Sequence, residues 1–178
     1  YTHVADSEDI SLYKAECTLP FGYMAPVGYD ITGTGNALMI QNQMVKELGA
    51  EGTLFTKKQS EQDEDNVKFT ADEDGYYYGI LTASGTKKIK ATSAEETRSF
   101  NDLKNGCIIH LGYLEENTKV TLTNGDDEDE SRKIKVDIYR MDTDVLEQSI
   151  EILGENHLEN VVYDSTHISG TINPEKEG

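Results

Sequence analysis

The chain has 178 residues, 36% hydrophobic, with 34 Asp and Glu against 16 Lys and Arg and a net charge of −18. That balance argues against nucleic acid and anionic lipid head groups as partners, because both need a basic footprint. No run approaches the roughly 18 apolar residues of a membrane-spanning helix, and no secretory signal opens the chain. Tyr1 is not an initiator Met, so the sequence is expected to be a single domain, residues 1–178, excised from a longer protein.

Taken in order, Tyr1 to Asp9 reads as a polar lead-in, and Ile10 to Leu19 as a first strand that Pro20 stops. Phe21 to Tyr29, aromatic but broken by Gly and Pro, reads as an ordered loop. Ala37, Ile40, Gln41, Met44, Val45 and Leu48 fall on one helical stripe, which predicts a helix over 35–48 with Gly49 as its left-handed cap. Asn42 and Gln43 lie beside that stripe, where hydrogen bonding to a neighbouring loop is their simplest role. Lys57 to Asn66 carries no apolar residue and reads as a solvated loop.

Val67 to Leu122 then shows short β-branched and aromatic runs cut by turn residues, the rhythm of an antiparallel sheet. Asp74-Gly75 and Ser84-Gly85 are hairpin signals. In Tyr76 to Leu81 both faces are apolar, which predicts a central strand covered on each side. Further strands are expected around Phe100, over Cys107–Tyr113 and over Lys119–Thr123. Ile134, Val136 and Ile138 alternate with Lys133, Lys135, Asp137 and Tyr139, a strand with one wet face. A second helix is predicted over Asp142–Leu153, ended by Gly154, and strands over Leu158–Tyr163 and His167–Ile172 close the chain. Many strands with two helices define the expected fold class: mostly β, an antiparallel β-sandwich with two flanking helices.

The residues that carry chemistry are few. Cys17 and Cys107 pair only if their Cα atoms come within about 7 Å; two free buried thiols are the favoured reading and a disulfide the other. No Cys/His spacing suggests zinc. Acid/base catalysis by two carboxylates needs them held about 5–9.5 Å apart across a substrate, a geometry that turn tips such as Asp72-Glu-Asp74 rarely hold, and no nucleophile elbow is present. No catalytic residue is therefore assigned. Asp126, Asp127 and Asp129 lie in an oxygen-rich run that suits a weak calcium site, with a solvated loop as the plainer reading; no other cofactor is expected. Tyr23, Tyr29, Tyr77 and Tyr113 are candidates for stacking on a sugar's apolar face, though each ring serves equally well in packing.

Ser11-Leu-Tyr-Lys-Ala-Glu-Cys-Thr-Leu-Pro-Phe-Gly-Tyr-Met24, with Tyr13 followed by Leu19-Pro-Phe-Gly-Tyr23, resembles a segment of YfhO-like bacterial membrane proteins. The Asn42-Gln43 pair in the helix, Leu54-Phe55 and Ile168-Ser-Gly-Thr-Ile172 are similar in the same order. These are large polytopic relatives of lipid-linked-sugar glycosyltransferases of the GT-C type. The resemblance implies an extracytoplasmic domain near the C-terminus of such a protein, on the outer face of a Gram-positive cell membrane. Its implied partners are the membrane-embedded part of the same polypeptide and a cell-wall polymer such as lipoteichoic acid, which the family is implicated in decorating with sugars. The family's catalytic carboxylate lies among its membrane spans, so this segment is expected to be non-catalytic, a scaffold or a carbohydrate-recognition module. Gly75-Tyr-Tyr-Tyr78 and Ile109-His-Leu-Gly-Tyr-Leu114 also look like galactose-binding-like jelly rolls. The alternative is a free-standing surface carbohydrate-binding or adhesion module.

Overall fold

Val67, Phe69, Val120, Leu122, Val136 and Ile138 alternate with polar neighbours, so each strand that carries them buries one face. The computed structural model describes residues 1–15, 18–19, 22–26, 28–29, 34–63, 65–83, 85–125 and 133–173. The chain runs β1 (Thr2–Ser7), β2 (Ile10–Lys14), α1 (Ala37–Glu47), β3 (Phe55–Lys58), β4 (Glu61–Gln62), β5 (Asn66–Thr70), β6 (Gly75–Leu81) and β7 (Ile89–Thr92). It continues with β8 (Thr97–Phe100), β9 (Ile108–Leu114), β10 (Lys119–Asn124), β11 (Val136–Met141), α2 (Thr143–Glu155), β12 (Glu159–Tyr163) and β13 (Ile168–Thr171). Two compact units emerge: Thr32–Gln43 with Thr53–Thr143, and Tyr1–Ile31 with Met44–Gly52 and Asp144–Gly178.

The first unit is an antiparallel β-sandwich. One sheet has the order β4-β5-β10-β7-β8 and the other β3-β11-β6-β9. Setting the two-residue β4 aside, the pairings are nested: β3 with β11, β5 with β10, β6 with β9, and β7 with β8. First strand pairs with last, and so on inward, which is the strand order of a jelly roll. The chain alternates between sheets to do this, so most connections cross the core. Asp74-Gly75 and Ser84-Gly85 are therefore not hairpins, because β5 and β7 lie in one sheet and β6 in the other. A turn signal reports a reversal of direction, not which strand becomes the neighbour.

Tyr77, Leu81, Ile89, Ile109, Val136 and Ile138 meet between the sheets in a continuous apolar core. Burial of this kind of surface contributes roughly 25 cal/mol per Å². The predicted solvated loop over Lys57–Asn66 instead holds the end of β3 and all of β4. Both are sheet-edge strands, where backbone pairing tolerates polar side chains on each face. Tyr139, which alternation puts on a wet face, is buried, because α1 lies over this part of β11: Asn36 Nδ2 donates to the Tyr139 hydroxyl at 3.0 Å.

The cap of α1 is Asn36. Its Oδ1 accepts from the backbone N–H groups of Leu38 and Met39 at 3.1 and 3.0 Å. The loop-tying role expected of Asn42 is realised in full: its Nδ2 donates to the Phe55 carbonyl at 2.8 Å, and its Oδ1 accepts from the Phe55 N–H at 2.6 Å. One amide thereby satisfies both main-chain groups at the start of β3.

In the second unit, Gly49 (φ 92°) closes α1 as predicted. Ala50 N–H reaches the Val45 carbonyl at 3.1 Å and Gly49 N–H that of Lys46 at 3.0 Å, a Schellman pair. The polar lead-in is in fact β1, hairpinned to β2, and the first strand stops at Lys14 rather than Leu19. The helix α2 runs through Gly154 to Glu155 and buries Val145, Ser149 and Leu153 on one stripe. Ser149 satisfies its hydroxyl on the Val145 carbonyl at 2.7 Å. Residues 22–24 pair with 156–158 through the Tyr23–His157 bridge, and β12 pairs with β13.

Candidate functional site

The outer face of the β3-β11-β6-β9 sheet is built from rings. Cross-strand register aligns Phe55, Met141, Tyr76 and Tyr113 in one row, and Tyr139, Tyr78 and His110 in the next. On β3 and β11 these side chains lie under α1, tied there by Asn36 and Asn42. Towards β9, the edge strand, the face opens: Tyr76 is 38% exposed, Ile108 40% and Tyr113 55%. Ring contacts hold the row together. Tyr76 meets Tyr113 edge-on at 5.4 Å and stacks on His110 at 6.1 Å, while Tyr78 lies 5.0 Å from His110 and 5.4 Å from Phe55. Burial, reinforced by neighbouring Tyr76, pushes the Tyr78 phenol above its ordinary value, which keeps the inner end of the row neutral.

A β-bulge makes this arrangement possible. Tyr77 pairs with Gly112 and Tyr78 with His110, so Leu111 is the extra residue. Strict alternation from His110 would turn Tyr113 into the core. The inserted residue resets the parity, sending Leu111 and Leu114 inward and both His110 and Tyr113 outward. Gly112 sits at φ 94°, and the Arg98 guanidinium occupies the space a Cβ would need while Arg98 Nη1 donates to the Leu111 carbonyl at 3.1 Å. Gly112→Ala is expected to destabilise the fold by about 1–3 kcal/mol and to disturb the Tyr113 ring. Thermal denaturation, together with the near-ultraviolet circular dichroism of the tyrosines, checks both; an unchanged spectrum and melting temperature would count against the bulge's role.

Of the four candidate sugar-stacking rings, Tyr113 is the one that this sheet carries on its outer face. Tyr77 is fully buried in the core, stacked on Phe69 at 5.7 Å, so its ring cannot meet a ligand from solvent. Tyr23 and Tyr29 belong to the other unit, where Tyr23 is 43% exposed. Burial, with Tyr23 and Glu47 nearby, raises the Tyr29 phenol above its ordinary value. Asp126, Asp127 and Asp129 lie outside the described residues, as does Cys17, while Cys107 is a free thiol. Among the described residues no group of three or more His, Cys, Asp or Glu is placed to hold a metal ion, and no helix is long and apolar enough to cross a membrane.

Sequence reasoning missed Tyr76 and His110. Tyr76 sits on a strand that reads as covered on both sides, and is so at Ile80 but not at its start. The usable signal was Gly112 inside an apolar strand, which marks a bulge.

The architecture thus defines a β-rich jelly-roll sandwich with a half-covered aromatic face. A scan against protein-family models finds no match for the chain, and no curated protein sequence matches it.

Proposed function

We propose that the sandwich is a non-catalytic carbohydrate-recognition module whose ligand stacks on Tyr76, His110 and Tyr113. The observation that carries this reading is the bulge at Leu111–Gly112, which turns two neighbouring rings outward on an edge strand where regular pairing would bury one of them. Sugar rings present C–H faces that pack on aromatic faces, and phenol and imidazole groups at the rim supply hydrogen bonds to hydroxyls. The motif resemblance at Tyr13 and Leu19–Tyr23 extends the proposal: the segment belongs to a membrane glycosyltransferase-like protein of the YfhO type, on the extracytoplasmic side, and presents a wall polymer to it.

The test is a glycan array followed by titration with cell-wall polymer fragments at up to millimolar ligand. Retention is expected, and Tyr76→Ala and Tyr113→Ala should each weaken it by about tenfold, the equivalent of one lost stacking contact, with unchanged melting temperatures. No retained glycan, or equal retention by the double variant, would refute the reading. For the parent protein, a dozen membrane spans encoded upstream supports the glycosyltransferase context, and a signal peptide with a wall anchor supports a free-standing module instead.

A further inference from the structure

A groove lies at the edge of the same sandwich, lined by none of the rings of the aromatic face. It has a volume of about 860 Å³ and is lined by parts of β3, the β3–β4 connection, β5 and β10. That volume falls in the range of ligand pockets, roughly 300–1,000 Å³. The two-residue β4 pairs only Glu61 with Lys68 and Gln62 with Val67, so it stops short of Phe69 and Thr70 on β5.

Within it, β5 and β10 set out two ammonium and two hydroxyl groups, with Glu61 of β4 beside Lys68. Lys68 is opposite Thr121, and Thr70 is opposite Lys119. The two lysines are diagonal neighbours on one face, about 7–8 Å apart by antiparallel geometry. Among the described residues no carboxylate pairs with Lys119, while Lys68, about half exposed, has a loose 3.9 Å contact to Asp63 and lies opposite Glu61. Lys58 is different, since Asp72 at 2.8 Å and Glu73 at 3.3 Å hold it as a structural ion pair. Four lysines line the groove, Lys57, Lys58, Lys68 and Lys119, against the two carboxylates of Glu61 and Asp72, so its lining is positive on balance in a chain of net charge −18.

We propose that this groove binds a linear acidic oligosaccharide, with successive anionic groups on Lys68 and Lys119 and sugar hydroxyls on Thr70 and Thr121. The chemistry required is an anion on each of two consecutive or alternate units with hydroxyls between them. Carboxylate and sulfate both meet it. The proposal is independent of the aromatic face, because no ring of that face lines the groove.

Binding of oligogalacturonate and of a heparin-derived oligosaccharide, followed by isothermal titration and by lysine side-chain NMR, tests it. At least one should bind at low salt and perturb the Lys68 and Lys119 signals; which one binds names the anion. Raising salt from about 0.01 M to about 0.15 M shortens the screening length from about 30 to about 8 Å and should weaken binding several-fold. Lys68→Gln with Lys119→Gln should weaken it about tenfold, as expected for two charge-assisted contacts, while Tyr113→Ala leaves it unchanged. The proposal fails if neither oligosaccharide binds at low salt, if the double lysine variant binds like the parent, or if a fully methyl-esterified galacturonan binds equally well.

Discussion

Gly79→Ala should lower the stability of the sandwich by about 2–3 kcal/mol, the upper part of the usual range for overpacking a core. Gly79 is at the middle of β6, between Ile138 on β11 and Ile109 on β9. A Cβ built there would lie 2.7 Å from Val136 Cγ1, 2.8 Å from Ile109 Cγ1 and 3.0 Å from Ile109 Cδ1. Both neighbours are branched at Cβ and have few rotamers to move to, and both are buried in the central cluster. The strands would have to separate, which disrupts the core on each side. In a chain of this size each kcal/mol corresponds to roughly 2–4 °C of melting temperature. Val136→Ala removes the nearest clashing methyl, so Gly79→Ala combined with Val136→Ala should lose less than the sum of the two single changes, a coupling that a double-mutant cycle reads directly. Wild-type stability in Gly79→Ala, or strict additivity in the double variant, would show that the strands accommodate the methyl freely.

Alkaline pH should destabilise the sandwich through Tyr77. Its ring is fully buried against Phe69, and its hydroxyl reaches Asp72 Oδ1 at 3.0 Å and the Glu73 carbonyl at 2.9 Å. Burial first, and then the Asp72 carboxylate, push the phenol from 10.0 up to about 12. The folded state therefore holds the proton more tightly than the unfolded state does. That contribution is complete below pH 10 and disappears as pH rises towards 12. By linkage, a rise of this size corresponds to at most about 3 kcal/mol. Tyr77→Phe should lose about 1 kcal/mol at neutral pH with the hydrogen bond, yet its stability should fall less steeply through this alkaline window. Denaturant midpoints measured across the window for both proteins decide the matter, and parallel curves would rule Tyr77 out as the responsible group.

How far the sequence reaches is visible element by element. Periodicity set α1, because a helix needs only its own stripe, and Gly49 marked its end, because a left-handed cap is a local backbone requirement. The side-chain pattern likewise placed most strands and the sandwich class. The lead-in over Tyr1–Asp9 and the run over Lys57–Asn66 were illegible as strands, since their pairing rests on backbone hydrogen bonds to partners that composition does not name.

The candidate site was legible only at Tyr113. Tyr76, Tyr77 and Tyr78 are consecutive and chemically alike, and their fates diverge because β6 has a core on one face, α1 over part of the other, and an open edge beyond. What the sequence by itself determined was a strongly acidic, β-rich chain with two helices, the end of the first marked by Gly49. What only the tertiary structure decided was which strand lies beside which, and hence which rings face solvent. The physical reason is that a jelly roll pairs the first strand with the last: a side chain's exposure depends on neighbours tens of residues away, and a single inserted residue at Leu111 reverses the face of everything that follows it in β9.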